Sequence, residues 1–211
     1  MPKSASEEFL PAEKTLAALR NAGRACKACP LFLNATQTVF GEGPAPAPLM
    51  LVGEQPGDQE DREGRPFVGP AGRVLDECLA AAHLDRGKSY VTNAVKHFKF
   101  QPRGKRRIHQ KPLYREVVAC RGWLDAEIEV VRPRLIVCLG ATAAQSFMGS
   151  TYRFTKTRGE ILPSRWAEGW MATYHPSALL RADDPAAAEA MRTDFISDLR
   201  RAGEWLQRQA G

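Results

Sequence analysis

Five short stretches hold the side chains able to do chemistry. CKAC puts Cys26 and Cys29 at a spacing that lets two thiolates grip one metal centre, although the same spacing occurs in redox sites. GEQPG sets Glu54 and Gln55 in a glycine-rich turn ending at Gly57, TNAVKH carries Asn93 and ends in His97, and YHPS holds His175 beside Ser177. The fifth stretch, QPRGKRRIHQKP (101–112), is a run of cations, Arg103, Lys105, Arg106, Arg107 and Lys111, broken by one imidazole, His109. Near neutral pH a histidine is partly unprotonated, so it can serve as base, ligand or nucleophile where its charged neighbours cannot.

Two cysteines do not complete a metal site. Cys78, Cys120, Cys138, His83 and His97 are the candidates to finish it. Cys138 lies in an apolar strand and Cys78 on an apolar helix face, where a cysteine acts as a small hydrophobe. Cys120 and His97 are freer to turn outward. Spacing alone leaves zinc and an iron–sulfur cluster equally open.

These stretches need a scaffold. With 211 residues, 44% of them hydrophobic and 26% charged, the chain can bury one sizeable core, and a single domain spanning 1–211 is expected. Apolar runs at Leu49–Gly53, 89–95, 134–140 and near 170–174 read as strands, and helical spacing is seen at 13–25, 73–83, 113–131, 141–149 and from about 184 onward. Strands alternating with helices predict an α/β fold with a parallel sheet. GEQPG, TNAVKH and YHPS each follow a strand, so they should converge at the carboxyl edge of that sheet, where ligands bind. The long segment between Gly53 and Arg73 and the basic segment at 101–112 read as loops.

The net charge of +6 is unevenly distributed. No acid occurs between Asp85 and Glu116, while ten cations do; taking those ten from the thirty basic residues leaves twenty against twenty-four acids. The basicity is local, which predicts a polyanion-binding face. The N-terminus is too polar for a signal peptide, no apolar run has the length of a membrane span, and an odd number of cysteines argues against a secreted disulfide framework. A cytoplasmic, nucleoid-associated protein of prokaryotic type is expected, with no membrane association and no obligate protein partner.

The order of motifs GEQPGDQEDREGRPFVGPAG, YVTNAVK, CRGWLDAEIEVVRPRLIVCLGATAA and YHPSALLR resembles the family 4 type of uracil-DNA glycosylases, over roughly Cys26 to Arg181. The resemblance implies a three-layer α/β/α sandwich with a central, mostly parallel four-stranded sheet, a [4Fe–4S] cluster, and uracil-containing DNA as partner, single strands preferred. It also implies site roles. Glu54 would support the sugar at the bond that breaks, and Gln55, Gly57 and Asp58 would frame the uracil. Phe67 would stack on the ring and Asn93 would read its Watson–Crick edge. His175 would donate to O2, where negative charge collects. Lys105, Arg106, Arg107 and Ser177 would contact DNA, with Arg107 also positioning the basic loop.

The chain departs from that pattern twice. Where the family has a cysteine after the strand resembling TNAVK, this sequence has His97, which implies a cluster held by Cys26, Cys29, His97 and Cys120. The basic insertion is the second departure and resembles the UdgX branch, whose members become covalently attached to uracil-containing DNA. His109 would then capture C1′ of the deoxyribose in place of water, giving a single turnover. The cations around it are expected to keep the imidazole neutral. An ordinary multiple-turnover glycosylase and a non-catalytic uracil-binding module are the competing expectations.

Overall fold

A computed structural model describes residues 4–209. Four parallel strands, β1 (Leu49–Gly53), β2 (Ser89–Asn93), β5 (Leu135–Leu139) and β6 (Gly169–Thr173), form one sheet in the order β2-β1-β5-β6. Every residue of all four is buried, so both faces are covered. Alternation divides the strand side chains between two cores. Leu49, Leu51, Val91, Val137 and Met171 face α3 (Pro70–Ala81) and α8 (Pro185–Arg208). Met50, Val52, Tyr90, Ile136, Cys138 and Trp170 face α4 (Tyr114–Val131) and α5 (Ala141–Met148). This is the three-layer α/β/α sandwich expected from the sequence.

Local chemistry sets the boundaries. Pro70 and Pro185 occupy first helical turns, where their missing N–H is no loss, and the Asp184 carboxylate accepts from Ala186 N and Ala187 N at 3.2 Å. α4 stops at Arg132 in the left-handed region, ahead of Pro133. A third cluster joins α1 (Leu16–Gly23) and the CKAC segment to α4 through Leu19, Cys26, Cys29, Cys120 and Trp123.

Two segments read as loops are ordered. Asp58–Glu63 forms a short helix, α2, capped at Gly64 in the left-handed conformation, so Asp58 and Asp61 project from a helix. The basic segment folds as an antiparallel hairpin, β3 (Phe100–Arg103) and β4 (Arg106–His109), turning at Gly104 with φ 58°. Pairing Phe100 with His109 and Pro102 with Arg107 puts these four on one face; Gln101, Ile108, Arg103 and Arg106 take the other. The remaining helices are α6 (Phe154–Thr157) and α7 (Pro176–Leu179). Among the described residues no helix is long and apolar enough to cross a membrane.

Candidate functional site

At the carboxyl edge of the sheet lies a cavity of about 710 Å³. Its walls include Glu54 from the end of β1, Phe67 from the loop before α3, Asn93 from the end of β2, His175 after β6 and His109 from the hairpin.

The base-reading end is built around a close approach. A Cβ on Gly53 would lie 2.3 Å from Asn93 Oδ1 and 2.6 Å from Phe67 Cζ, so only glycine lets these side chains meet there. Phe67 adopts φ 53°, a strained conformation for an aromatic residue, held by burial and by the N-terminal turn of α3 against its carbonyl. Asn93 is 2% exposed, and its Oδ1 has no hydrogen-bond partner. A buried amide oxygen left unpaired costs about 1–3 kcal/mol, which a ligand N–H would recover. The rim is tied by Glu60, whose carboxylate accepts from Gly57 N at 3.0 Å and Gly69 N at 2.8 Å. The Gly57 N–H, expected to frame a uracil, is therefore bonded within the protein.

Gln55 does more, and different, work than expected. Its Oε1 accepts from Lys99 N (3.1 Å), which fixes the orientation of the amide; Nε2 then faces Gln110 O (2.9 Å), Lys99 O (3.3 Å) and His109 Nε2 (2.8 Å). One side chain on the cavity wall thus clasps both roots of the hairpin and holds the His109 ring. Accepting from the Gln55 amide needs a lone pair on His109 Nε2 and the ring proton on Nδ1, whereas donating to Glu54 needs a proton on Nε2, so this one nitrogen sits between a donor and an acceptor. Glu54 Oε1 lies 3.4 Å from the same nitrogen. Burial alone would raise the Glu54 carboxyl, but hydrogen bonds to His109 and Thr142, with the charges of both nearby histidines, hold it below its usual value.

The basic residues sort differently from the sequence reading. Arg107 does not reach outward: it bonds the Asp58 carboxylate, Asp61 Oδ2 at 2.6 Å, Asp58 O at 3.1 Å and Thr36 Oγ1 at 3.2 Å, and its guanidinium stacks 5.0 Å from the Phe100 centroid. It latches the hairpin onto α2 and is not placed to bind a phosphate; Asp58, paired with Arg107 and Arg62, belongs to that latch. Lys96 is buried against Glu127, Lys99 pairs with Glu116 and Arg86 with Asp76. Four of the ten cations are consequently neutralised within the fold. Lys105, Arg106 and Arg103 are exposed at the hairpin tip, with Lys111 at its exit. The Glu54 carboxylate lies 3.4 Å from His109 Nε2, and Arg107, expected as a cation beside the ring, is paired with Asp58 and Asp61.

His175 caps α7, accepting on Nδ1 from Ser177 N at 3.1 Å, with Ser177 Oγ 2.7 Å away and Arg181 bonding that hydroxyl at 2.8 Å. The backbone donor assigns the proton to Nε2, making this nitrogen a hydrogen-bond donor. Ser177, which lines the cavity, fixes that tautomer through its backbone N–H. Burial, only partly opposed by Glu54, pushes the His175 pKa down to about 4. Between that value and about 6.5 the unfolded chain binds more protons than the native one. Stability from this residue is therefore complete above about pH 6.5 and lost as pH falls toward 4, by up to about 3 kcal/mol. Urea midpoints compared between pH 7 and pH 5 should fall more for the native sequence than for His175→Asn.

Cys26, Cys29 and Cys120 come together in the third cluster, each under 10% exposed. Trp123 Nε1 donates to Cys26 Sγ at 3.2 Å and Lys96 N to Cys120 Sγ at 3.3 Å, the kind of N–H contacts that stabilise thiolate charge. Cys78 and Cys138 lie in the other two cores, which removes them as alternatives. His97 follows Lys96 directly and is buried, its pKa lowered to about 4 by desolvation, so its imidazole is neutral, as ligation requires. Among the described residues no three such side chains converge at single-ion spacing.

Signals for Glu60, Thr142 and Arg181 were weak in the sequence: each sits inside a quoted motif but has a role visible only in three dimensions. The profile of the Uracil DNA glycosylase superfamily matches residues 40–200. The chain is 38% identical to a Type-4 uracil-DNA glycosylase of Thermotoga maritima over 187 residues, 87% of this chain and 91% of that protein. It is 36% identical to one from Archaeoglobus fulgidus, over 85% of this chain and 87% of that protein. A Type-5 uracil-DNA glycosylase of Pyrobaculum aerophilum is 37% identical over 63% of this chain and 62% of its own length.

Proposed function

Because the chain belongs to the uracil-DNA glycosylase superfamily, we propose that it excises uracil from DNA, single strands preferred, and that His109 then takes the sugar, leaving protein and DNA covalently joined after one turnover. The observation that carries this reading is the position of His109 Nε2, 2.8 Å from the Gln55 amide nitrogen and 3.4 Å from Glu54, on the wall of the cavity that contains Asn93.

The flipped uracil stacks on Phe67, and the unpaired Asn93 Oδ1 accepts its N3–H while the amide N–H donates to O4; cytosine, with N4 a donor and N3 unprotonated, mismatches both. As the N1–C1′ bond breaks, its electron pair leaves with the base, spreading onto O2, where the neutral His175 Nε2–H donates. The ionised Glu54 carboxylate supports the positive charge on C1′. Once the Gln55 amide releases it, the Nε2 lone pair of the neutral His109 ring forms the new C1′–N bond, and the resulting imidazolium loses its Nδ1 proton to solvent. An imidazole fixed in place competes with water through its effective concentration, which for well-oriented groups reaches about 10⁵ M or more. An alkylated imidazole is a poor leaving group, so the adduct persists.

The resemblance of the motifs also implies a [4Fe–4S] cluster, and Cys26, Cys29, His97 and Cys120 are the residues that would hold it. Bound, it would act as a structural cross-link among the CKAC segment, the loop after β2 and α4.

The test is a denaturing gel of the protein incubated with uracil-containing single-stranded DNA, with released uracil counted. A shifted band and one uracil per protein are expected. Many uracils per protein with no band would establish ordinary turnover; tight binding with no uracil would establish a binding module. The Arg107 latch gives a further expectation. In Arg107→Met the hairpin should become protease-sensitive between 101 and 109, and adduct formation should slow about tenfold to hundredfold, since small misplacements of a reacting group cost on that order. Lysine at 107 should rescue little, because it cannot reproduce the forked contact with Asp58 and Asp61.

A further inference from the structure

The cavity is larger than its base-reading end requires. Its 710 Å³ is in the range that encloses a whole drug-sized ligand, roughly 300–1,000 Å³, and a single pyrimidine is much smaller than that. The lining extends to Ala141, Thr142, Phe154, Tyr174, Leu180 and Arg181. This extension is apolar and aromatic, with one cation at its rim.

The aromatic pair is held from behind. Tyr174 and Phe154 pack with ring centroids 5.9 Å apart, and the guanidinium of Arg158, a residue outside the cavity lining, stacks 4.7 Å from the Tyr174 centroid. Arg158 is itself fixed by Asp198 at 2.7 Å and Asp194 at 3.1 Å, both on α8. The Tyr174 ring is thereby set before any ligand arrives. Arg181 is exposed and uses one N–H on Ser177, which leaves further donors for an anion.

We propose that this extension is a second nucleobase subsite, seating the nucleotide next to the uracil on the same strand, with its base on Phe154 and Tyr174 and its phosphate at Arg181. The inference rests on the uracil-excision reading and deepens it. A flipped nucleotide is linked through phosphates to its neighbours, so a neighbour on this side must pass over the wall that carries these rings. Aromatic surfaces beside cations are how single strands are held without reading sequence, because every base has a stacking face. The subsite therefore accepts any base, and as a single site it engages only one of the two neighbours.

The experiment uses single-stranded oligonucleotides with one uracil, in which either neighbour is replaced by a tetrahydrofuran residue lacking a base, with protein in excess and released uracil as the readout. Loss of the base on one side is expected to slow release about tenfold, a stacking-sized effect, and loss on the other to change it little. Phe154→Ala should slow release from the intact strand by a similar factor and erase the penalty for the missing base, whereas Phe154→Trp should retain both rate and penalty. The penalty is a ratio within each variant, so it does not depend on how much of that variant is folded. No penalty on either side, or a full penalty persisting in Phe154→Ala, would overturn the subsite. Uracil release without any adduct would overturn covalent capture alone and leave this comparison intact, while no release from the intact strand would overturn excision and the subsite with it.

Discussion

In His109→Ser the shifted band is expected to vanish, with adduct falling at least about hundredfold, while uracil continues to be released and the strand acquires an alkali-labile abasic site. Serine removes the lone pair held at Nε2 and opens space beside Glu54 that water can enter. Asn93, Phe67 and His175 are untouched, so base recognition and departure persist, and nothing now holds the protein on its product. Released uracil should exceed one per protein molecule. His109→Gln separates the two contributions of the ring: it fills much of the space and can still bond Gln55, but offers no nucleophile. It should form no adduct and turn over more slowly than the serine variant. A band of undiminished intensity in His109→Ser would place the attachment on another residue, with Glu54 the nearest nucleophile.

The sheet was legible because continuous apolar runs of strand length leave little freedom: Leu49–Gly53 and the strands around residues 91, 137 and 171 were expected close to where they lie. The hairpin was not, since Arg103, Arg106 and Arg107 carry no apolar alternation; its pairing depends on Phe100, on the Gly104 turn and on a clasp by Gln55 from another strand end. Charge was the least legible quantity. Counting cations along the chain treated Lys96 and Arg107 like Lys105, yet Lys96 is fully buried and Arg107 is turned into α2, because their acidic partners Glu127, Asp58 and Asp61 are remote in sequence. Residue type and motif order could nominate Glu54, Asn93, His109 and His175; only the fold could assign Gln55 and Ser177 to holding those groups in place.

Lys96→Met is expected to destabilise the protein by about 3–5 kcal/mol, the cost of leaving a buried partner charge uncompensated. Lys96 and Glu127 are 0% exposed. The ammonium also donates to Thr92 Oγ1 and to Asn93 O, both at 2.7 Å, while Glu127 accepts from Gly41 N at 2.8 Å and Tyr90 OH at 2.9 Å. Every charge-bearing atom is thus matched, and removing the lysine leaves the carboxylate with neutral donors only. In the double variant Lys96→Met/Glu127→Leu the isolated charge disappears, so part of the loss should return. Recovery should be incomplete, because Gly41 N, the Tyr90 hydroxyl and Asn93 O then lack partners, at roughly 1–3 kcal/mol for each group that water cannot reach. Urea unfolding of the native, single and double forms gives the ordering directly, and a single variant as stable as the native protein would refute it. The pair bears on the site as well as on stability. Asn93 O is tethered by the Lys96 ammonium, and the Lys96 backbone N–H is on Cys120 Sγ, so one residue joins the base-reading strand end to the cysteine cluster. Uracil release by the folded double variant should therefore fall even where stability is regained, since the strand end that aims Asn93 has lost its anchor.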